Sequence, residues 1–207
     1  MIEPGRDWAE PGSLSPDEVT VASNAELSAW LATRRDKAEG IGRVGVVGGD
    51  LARTVGIGPA NDPRRPWSDD ARTYSADLCE ALVDGRRCAF ACHLVASAPR
   101  SWRRGRRFTV IANTPWWGAY NVAPKAHPND GLLDVVEFDL GAREWRPVRA
   151  RLASGSFLPH PRIRMRRDSA YSVEWSEPRS IVIDDVAIGR ARRIAVRVQP
   201  DAWTFVA

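Results

Sequence analysis

From Thr73 to Ala207 the chain is a succession of short apolar runs, each closed by turn residues: RFTVIAN, GLLDVVEFDL, RIRMRR, YSVEWS, RSIVIDD, RRIAVRVQP and AWTFVA. Runs of this length, rich in β-branched and aromatic residues, read as strands, and a long series of them separated by turns specifies an antiparallel sandwich or barrel. TYSADLCEALVDGRRCAFACHLVAS reads as two further strands joined at Asp84-Gly85, a dipeptide favoured in tight hairpins. Only EWRPVRARLASG has a helical pattern. With 43% hydrophobic residues in 207, the chain can bury a core, which excludes wholesale disorder.

The first part differs in character. Residues 1–18 hold Pro4, Pro11 and Pro16 with Gly5 and Gly12 and read as a flexible tail. Asn24 is then a candidate N-cap for AELSAWLATRRDKAEG, with Leu27, Trp30 and Leu31 on one face. GRVGVVGG reads as a strand closing on Gly48 and Gly49, and DLARTVG as a helix start. A strand, glycine turn and helix in that order can present backbone N–H groups to a phosphate. PANDPRRPWSDD is a Pro-rich linker. The expected fold class is therefore α+β: an antiparallel β-sandwich over 67–207, preceded by a small, truncated α/β unit over 19–66.

Net charge is +4, carried by 28 Arg and 2 Lys, which suits anionic surfaces and equally suits an Arg-rich genome. Cys79, Cys88 and Cys92 lie in one stretch beside His93; the spacing is not that of a zinc site, and small apolar runs of this kind bury Cys as core. Free thiols and an acidic, Pro-rich start without an apolar h-region lead to the expectation of a cytoplasmic protein. No stretch approaches the ~18 apolar residues of a membrane span, so membrane contact is expected to be peripheral.

Three segments then resemble one family. TVIANTPWWGAYNVAPKAHPNDGLLDVVEFD carries Asn113, Gly118, Pro124, Ala126, Asp130, Gly131, Leu132, Leu133, Asp134 and Val135 in the order of the strand-N-G-x-x-x-G-G and P-x-A-x-x-x-DGLLDV signature of diacylglycerol kinase-like proteins. LASGSFLPHPRIRMRR is similar to the family's turn into a later strand, and IVIDDVAIGRARRIAVRVQPDAWTFVA to its closing V-x-x-DGE segment. The resemblance spans about residues 72–207. GRVGVVGGDLARTVGIG is similar to the family's G-T-x-N-D-F-A-R-x-L-G region, with Asp50, Ala52, Arg53, Thr54 and Gly56 matched and the loop shortened to Gly48-Gly49. The family's other phosphate loop, G-G-D-G-T, has no counterpart beyond Gly48-Gly49-Asp50.

The resemblance implies ATP-dependent phosphorylation of a lipid hydroxyl, a reaction needing a cradle of N–H donors, a Mg²⁺ clamp and a proton acceptor. Gly48, Gly49 and Asp50 are the implied nucleotide-binding remnant. The family's presumed base, the Glu of D-G-E, aligns with Val186, leaving Asp184 and Asp185 as candidates. Strand alternation would turn Asp185 to the opposite face unless a turn intervenes, and both are equally readable as polar turn residues. The family's structural Mg²⁺ site maps to Asp130 and the carbonyls of Leu132 and His127, with a metal-free hairpin turn at Asn129-Asp130-Gly131 as the competing reading. Arg103, Arg104, Arg106 and Arg107, with Trp116 and Trp117, are candidates for lipid or anion binding, set against a solvated loop and a packed aromatic pair.

Three functions follow: a degenerate lipid-kinase-like protein, non-catalytic or weakly active, that binds lipid or a partner; an active ATP- and Mg²⁺-dependent lipid kinase, completed by a partner chain or a second copy; and a basic anion- or nucleic-acid-binding module. A nucleic-acid partner is not expected.

Overall fold

The structure is a computed structural model that describes residues 2, 7–36, 40–58, 62–99 and 106–207. Its elements in chain order are β1 (Ala9–Pro11), β2 (Thr20–Val21), α1 (Asn24–Arg34), β3 (Arg43–Val46), α2 (Gly49–Thr54), β4 (Arg72–Val83), β5 (Arg86–Phe90), β6 (His93–Ser97), β7 (Arg106–Ala112), β8 (Trp116–Trp117), β9 (Tyr120–Asn121), β10 (Leu133–Leu140), α3 (Ala142–Leu152), β11 (Ile163–Asp168), β12 (Ala170–Ile183) and β13 (Val186–Val206).

The expected antiparallel sandwich is present. The strands run in the order β1-β4-β13-β12-β6-β7-β10-β11, with β5 on the outer edge of β4. The sheet folds over on itself. Cys79, Phe90, Ile194 and Val196 from one half meet Leu94, Ile111, Leu133 and Val135 from the other in one buried cluster. The back of β7 and β10 is covered by α3, whose Val148 and Leu152 pack with Phe108, Val110 and Phe138. Helix α3 overlaps the run that carried the helical pattern, starting two residues before it at Ala142.

Two expected strand pairs are single long strands. YSVEWS and RSIVIDD together form β12, and RRIAVRVQP and AWTFVA form β13, each with a register irregularity where the sequence shows a gap. In β13 the break falls at Pro200, which has no N–H to give the ladder, and at Asp201, which sits at φ 51°. Its N–H is recovered by the Oδ1 of Asp77 at 3.1 Å. Conversely, the run after the Asp84-Gly85 turn divides into β5 and β6 at Ala91-Cys92. Asp84 (φ 46°) and Gly85 (φ 87°) make the tight hairpin the dipeptide specifies.

Within the flexible tail expected over 1–18, residues 8–14 pack on the sheet. Strand β1 pairs antiparallel with β4, Leu14 is buried, and the indole N–H of Trp8 donates to the carbonyl of Ser75 at 2.8 Å. Prolines mark this segment as non-helical, but an edge strand tolerates Pro where no ladder N–H is needed. Nor is the N-cap of α1 Asn24. It is Ser23, whose Oγ accepts from the Glu26 N–H at 3.2 Å. The α/β unit joins the sheet directly: β2 pairs parallel with β3, and β3 pairs parallel with the end of β13. Leu27, Trp30 and Leu31 of α1 and Leu51 of α2 share a core cluster with Leu78, Trp203 and Phe205. The end of β13 thus seats α1 and α2, and the β12–β13 turn reaches them through the Asn24–Asp185 hydrogen bond.

Candidate functional site

The β12–β13 turn is two residues long, Asp184 at φ 43° and Asp185 at φ 67°. Two successive left-handed residues define a type I′ hairpin turn, which Asp tolerates better than most residues. Asp184 is fully buried. Its carboxylate accepts from the backbone N–H groups of Ala91 (2.9 Å), Cys92 (3.0 Å) and His93 (2.9 Å). These are the donors freed where β5 and β6 part, so Asp184 closes the break in the ladder. Burial pushes its carboxyl up, against the opposing pull of His93 and the three N–H groups.

Asp185 does not turn away from the cleft. Because alternation lapses in the turn, its side chain is directed at α1 and β6, where Oδ2 accepts from the Asn24 amide at 2.7 Å and Oδ1 lies 3.4 Å from His93 Nε2. Its side chain is 53% exposed, so the group is reachable from solvent. The contact with His93 holds its carboxyl below the ordinary range. His93 is wholly buried, with Nδ1 3.4 Å from Asp50 Oδ2. Burial alone would lower its pKa, yet the surrounding carboxylates Asp185, Asp184 and Asp50 raise it.

Asp50, the first-turn acid of α2, completes the group. Its carboxylate accepts from the Asn24 amide (2.8 Å) and the Gly118 N–H (3.1 Å), while its own N–H donates to Asn24 Oδ1 at 2.8 Å. Arg53 fixes this arrangement by donating to the Gly118 carbonyl (2.7 Å) and lying 3.5 Å above the Trp116 ring. Trp117 packs beside His93, Phe108 and Tyr120. Both half-buried tryptophans therefore serve as props for the cleft wall.

The expected phosphate turn is closed. A Cβ on Gly48 would lie 2.2 Å from the Ala22 carbonyl oxygen, and one on Gly49 (φ 83°) would lie 2.6 Å from Asn24 Oδ1. The glycines serve close backbone packing against Ala22 and the start of α1. Of the three residues assigned to the nucleotide, Asp50 has its N–H already engaged by Asn24.

The loop assigned to Mg²⁺ is organised by a guanidinium instead. Asp130 Oδ1 accepts from the Leu132 N–H (3.0 Å), and Oδ2 is ion-paired to Arg167, which also donates to Asp134 Oδ2 at 3.1 Å. His127 spends Nδ1 on the Asn129 N–H and meets the Trp8 ring edge to face. Arg167 supplies positive charge to both carboxylates of this loop. Of the basic cluster, Arg106 lies 4.5 Å above the Trp145 ring and Arg107 pairs with Asp139 at 2.6 Å. Arg103 and Arg104 lie outside the described residues. All three cysteines are buried free thiols, and burial holds Cys79 and Cys92 well above the ordinary thiol range.

Asp134 gives a stability prediction. It is fully buried, and burial, partly offset by Arg167, pushes its carboxyl up to about 6. A carboxyl that holds its proton more tightly when folded favours the native state in acid, and that advantage is lost as pH rises from about 4 to about 6. Two units correspond to roughly 3 kcal/mol. Asp134→Asn is expected to flatten urea-denaturation stability between about pH 4 and 6 relative to wild type, and to leave the variant at least as stable at pH 8. An undiminished slope in the variant would refute the assignment.

Sequence reading missed three residues of these networks. Asn24 passed as a helix cap, His93 as a neighbour of core cysteines, and Arg167 as one of many arginines. A histidine inside an otherwise apolar strand was the one signal available.

A folded-over antiparallel sandwich with a two-Asp hairpin turned onto a small α/β unit defines the class: the sandwich layer of the NAD kinase and lipid kinase architecture. Residues 67–207 match the family described as the YegS C-terminal NAD kinase beta sandwich-like domain, and the chain belongs to that family. Among solved structures it is similar to a protein of Bacillus anthracis strain Sterne assigned as a diacylglycerol kinase, with TM-score 0.60 at 10% identity over 79% of this chain and 69% of that one. A diacylglycerol kinase structure from the same strain gives TM-score 0.52 at 12% identity over 79% of this chain and 66% of that one. The chain spans about two thirds of each, and at such identities the likeness is one of fold. A comparison with curated protein sequences gave no match. Among the described residues no helix is long and apolar enough to cross a membrane.

Proposed function

We propose that this chain is a diacylglycerol kinase-like protein with a closed phosphoryl-transfer cleft, transferring phosphate weakly or not at all and acting by binding lipid or a partner. One observation carries the reading: the Gly48-Gly49 turn is packed against Ala22 and Asn24, with the Asp50 N–H engaged by Asn24. Phosphoryl transfer depends on free donors converging on the phosphates, and here the Asp50 N–H is spent on Asn24. The residue aligned with the family's Glu is Val186, which has no proton to exchange. Lipid binding is supported by a largely apolar cavity of about 550 Å³ at the far end of the sandwich, lined by Ala81, Leu82, Tyr171 and Val196 and flanked by Arg87 and Arg197. A cavity of this size suits a ligand with an acyl chain.

A second reading, an active kinase using ATP and Mg²⁺, draws on Asp185. It is half-exposed, ionised and directed into the cleft, where it stands one residue before the family's base. Calorimetry with ATP–Mg²⁺ and a phosphorylation assay on diacylglycerol vesicles separate the two. The expected result is no nucleotide heat and no turnover above background. Turnover that Asp185→Asn abolishes would replace the first reading with the second.

A further inference from the structure

The cluster of Asp50, His93 and Asp185 presents an electrostatic problem that its own groups leave unsolved. Two carboxylates converge on one buried imidazole, and a third, Asp184, lies behind it. Neither ring nitrogen has a hydrogen-bond partner, although His93 is fully buried. The nearest acceptors stand at 3.4 Å, beyond ordinary N–H···O contact. A buried histidine without partners, set between acids, is a costly arrangement unless something else occupies the space.

The spacing matches one such occupant. In a tetrahedral site with bonds of about 2.0–2.1 Å to N and O, ligand atoms sit roughly 3.3–3.4 Å apart. Here one ligand atom from each of the three residues lies within 4.8 Å of the others. Each ring nitrogen stands 3.4 Å from one carboxylate, Nδ1 from Asp50 and Nε2 from Asp185, so an ion held by Nδ1 has the Asp50 oxygen at the tetrahedral spacing and draws Asp185 toward it. The half-exposed Asp185 has the freedom to close the remaining gap and gives an ion its way in. The outer layer is already built. The Asn24 amide donates to Oδ2 of both Asp50 and Asp185, and the Gly118 N–H donates to Asp50, leaving lone pairs of both carboxylates free.

We propose that Asp50, His93 and Asp185 form a binding site for a first-row divalent transition metal of the Zn²⁺ type, with water completing the coordination. One imidazole and two carboxylates suit such an ion, whereas the imidazole disfavours Mg²⁺, which prefers an all-oxygen shell. The charge balance follows: a divalent ion neutralises the two carboxylates and lets His93 act as a neutral ligand. The site stands independently of ATP binding and of any kinase activity.

The test is a Zn²⁺ titration of the chelator-treated full chain by calorimetry, without nucleotide, with Co²⁺ as a spectroscopic substitute. The expected result is one ion per chain and visible Co²⁺ ligand-field absorption of a tetrahedral N/O site. Asp185→Asn, at a half-exposed position with no core role, is expected to weaken Zn²⁺ about 100-fold, at the upper end of what loss of a supporting group costs. His93→Asn is expected to abolish the Co²⁺ spectrum. Absence of tight Zn²⁺ binding, unchanged affinity in Asp185→Asn, or equal preference for Mg²⁺ would each overturn the proposal. Zn²⁺ held instead by the cysteines would appear as binding indifferent to Asp185→Asn. Because no nucleotide is present, failure here leaves the closed-cleft reading standing, and the ATP calorimetry leaves this one standing.

Discussion

Asp184→Ala is expected to bring the chain close to global unfolding at neutral pH. Its carboxylate is the acceptor for three consecutive backbone donors, Ala91, Cys92 and His93, in a region without solvent access. Removing it orphans all three. At about 1–3 kcal/mol for each unsatisfied buried donor, the loss is on the order of 4 kcal/mol after crediting the relieved burial of a carboxylate. That is a large share of the roughly 5–15 kcal/mol that stabilises a domain. The damage is also local. His93 owes its position to the bond from its N–H to Asp184 and to the bond from the Asp184 N–H to its carbonyl (3.0 Å), so the cleft loses its central side chain. Asp184→Asn keeps the left-handed turn residue and one oxygen acceptor but turns an NH₂ toward a donor, and is expected to cost about half as much. Urea denaturation at pH 7 measures both. An Asp184→Ala protein as stable as wild type would mean that the 91–93 donors find other partners, and the account of the β5–β6 break would fall.

Gly48→Ala has the next largest expected effect, and it bears on function. Gly48 is extended at φ −164°, a conformation any residue adopts, so the argument is one of space alone. The added methyl would meet the Ala22 carbonyl oxygen at 2.2 Å and its carbon at 3.0 Å, and backbone cannot swing aside as a flexible side chain can. Relief requires β2 to move off β3, against the Thr20–Gly45 and Val21–Val46 pairing and the bond from the Val47 N–H to the Val21 carbonyl. Overpacking of this kind costs about 3 kcal/mol. Gly56→Ala is the control. It has open space around it and a φ of 82°, so only backbone strain of about 1 kcal/mol is expected. A glycine kept open for a phosphate would behave oppositely: Gly48→Ala would leave stability intact and abolish nucleotide binding. Thermal and urea melts of the two variants therefore test the closed cleft without any substrate.

The elements themselves were legible where local chemistry is decisive. Asp84-Gly85 turns the β4–β5 hairpin because both positions need positive φ, and the apolar run in GLLDVVEFDL marks β10, whose two faces enter two cores. The family signature lay in turns for the same reason, since turn residues are fixed by backbone geometry. The site was only half legible. Asp185 was a candidate from its place beside the D-G-E position, against strand alternation, a rule that stops at a turn, and its partner Asn24 lies 161 residues away. Gly48 and Gly49 carried the composition of a phosphate loop, but glycine serves any close backbone approach, and composition does not say whether a ligand or Ala22 makes it. Likewise nothing local indicated that Arg167 would pair with Asp130.

The strand-rich character, the Asp84-Gly85 hairpin turn and the family followed from the sequence by itself, because each depends on patterns a few residues long. The junction of Asn24, Asp50, His93 and Asp185, the closure of the glycine turn and the pairing of Arg167 were decided by the tertiary fold alone. Each is a meeting of charges or surfaces carried on elements far apart in the chain, and burial and proximity, which set their chemistry, come into being only when the sheet folds over.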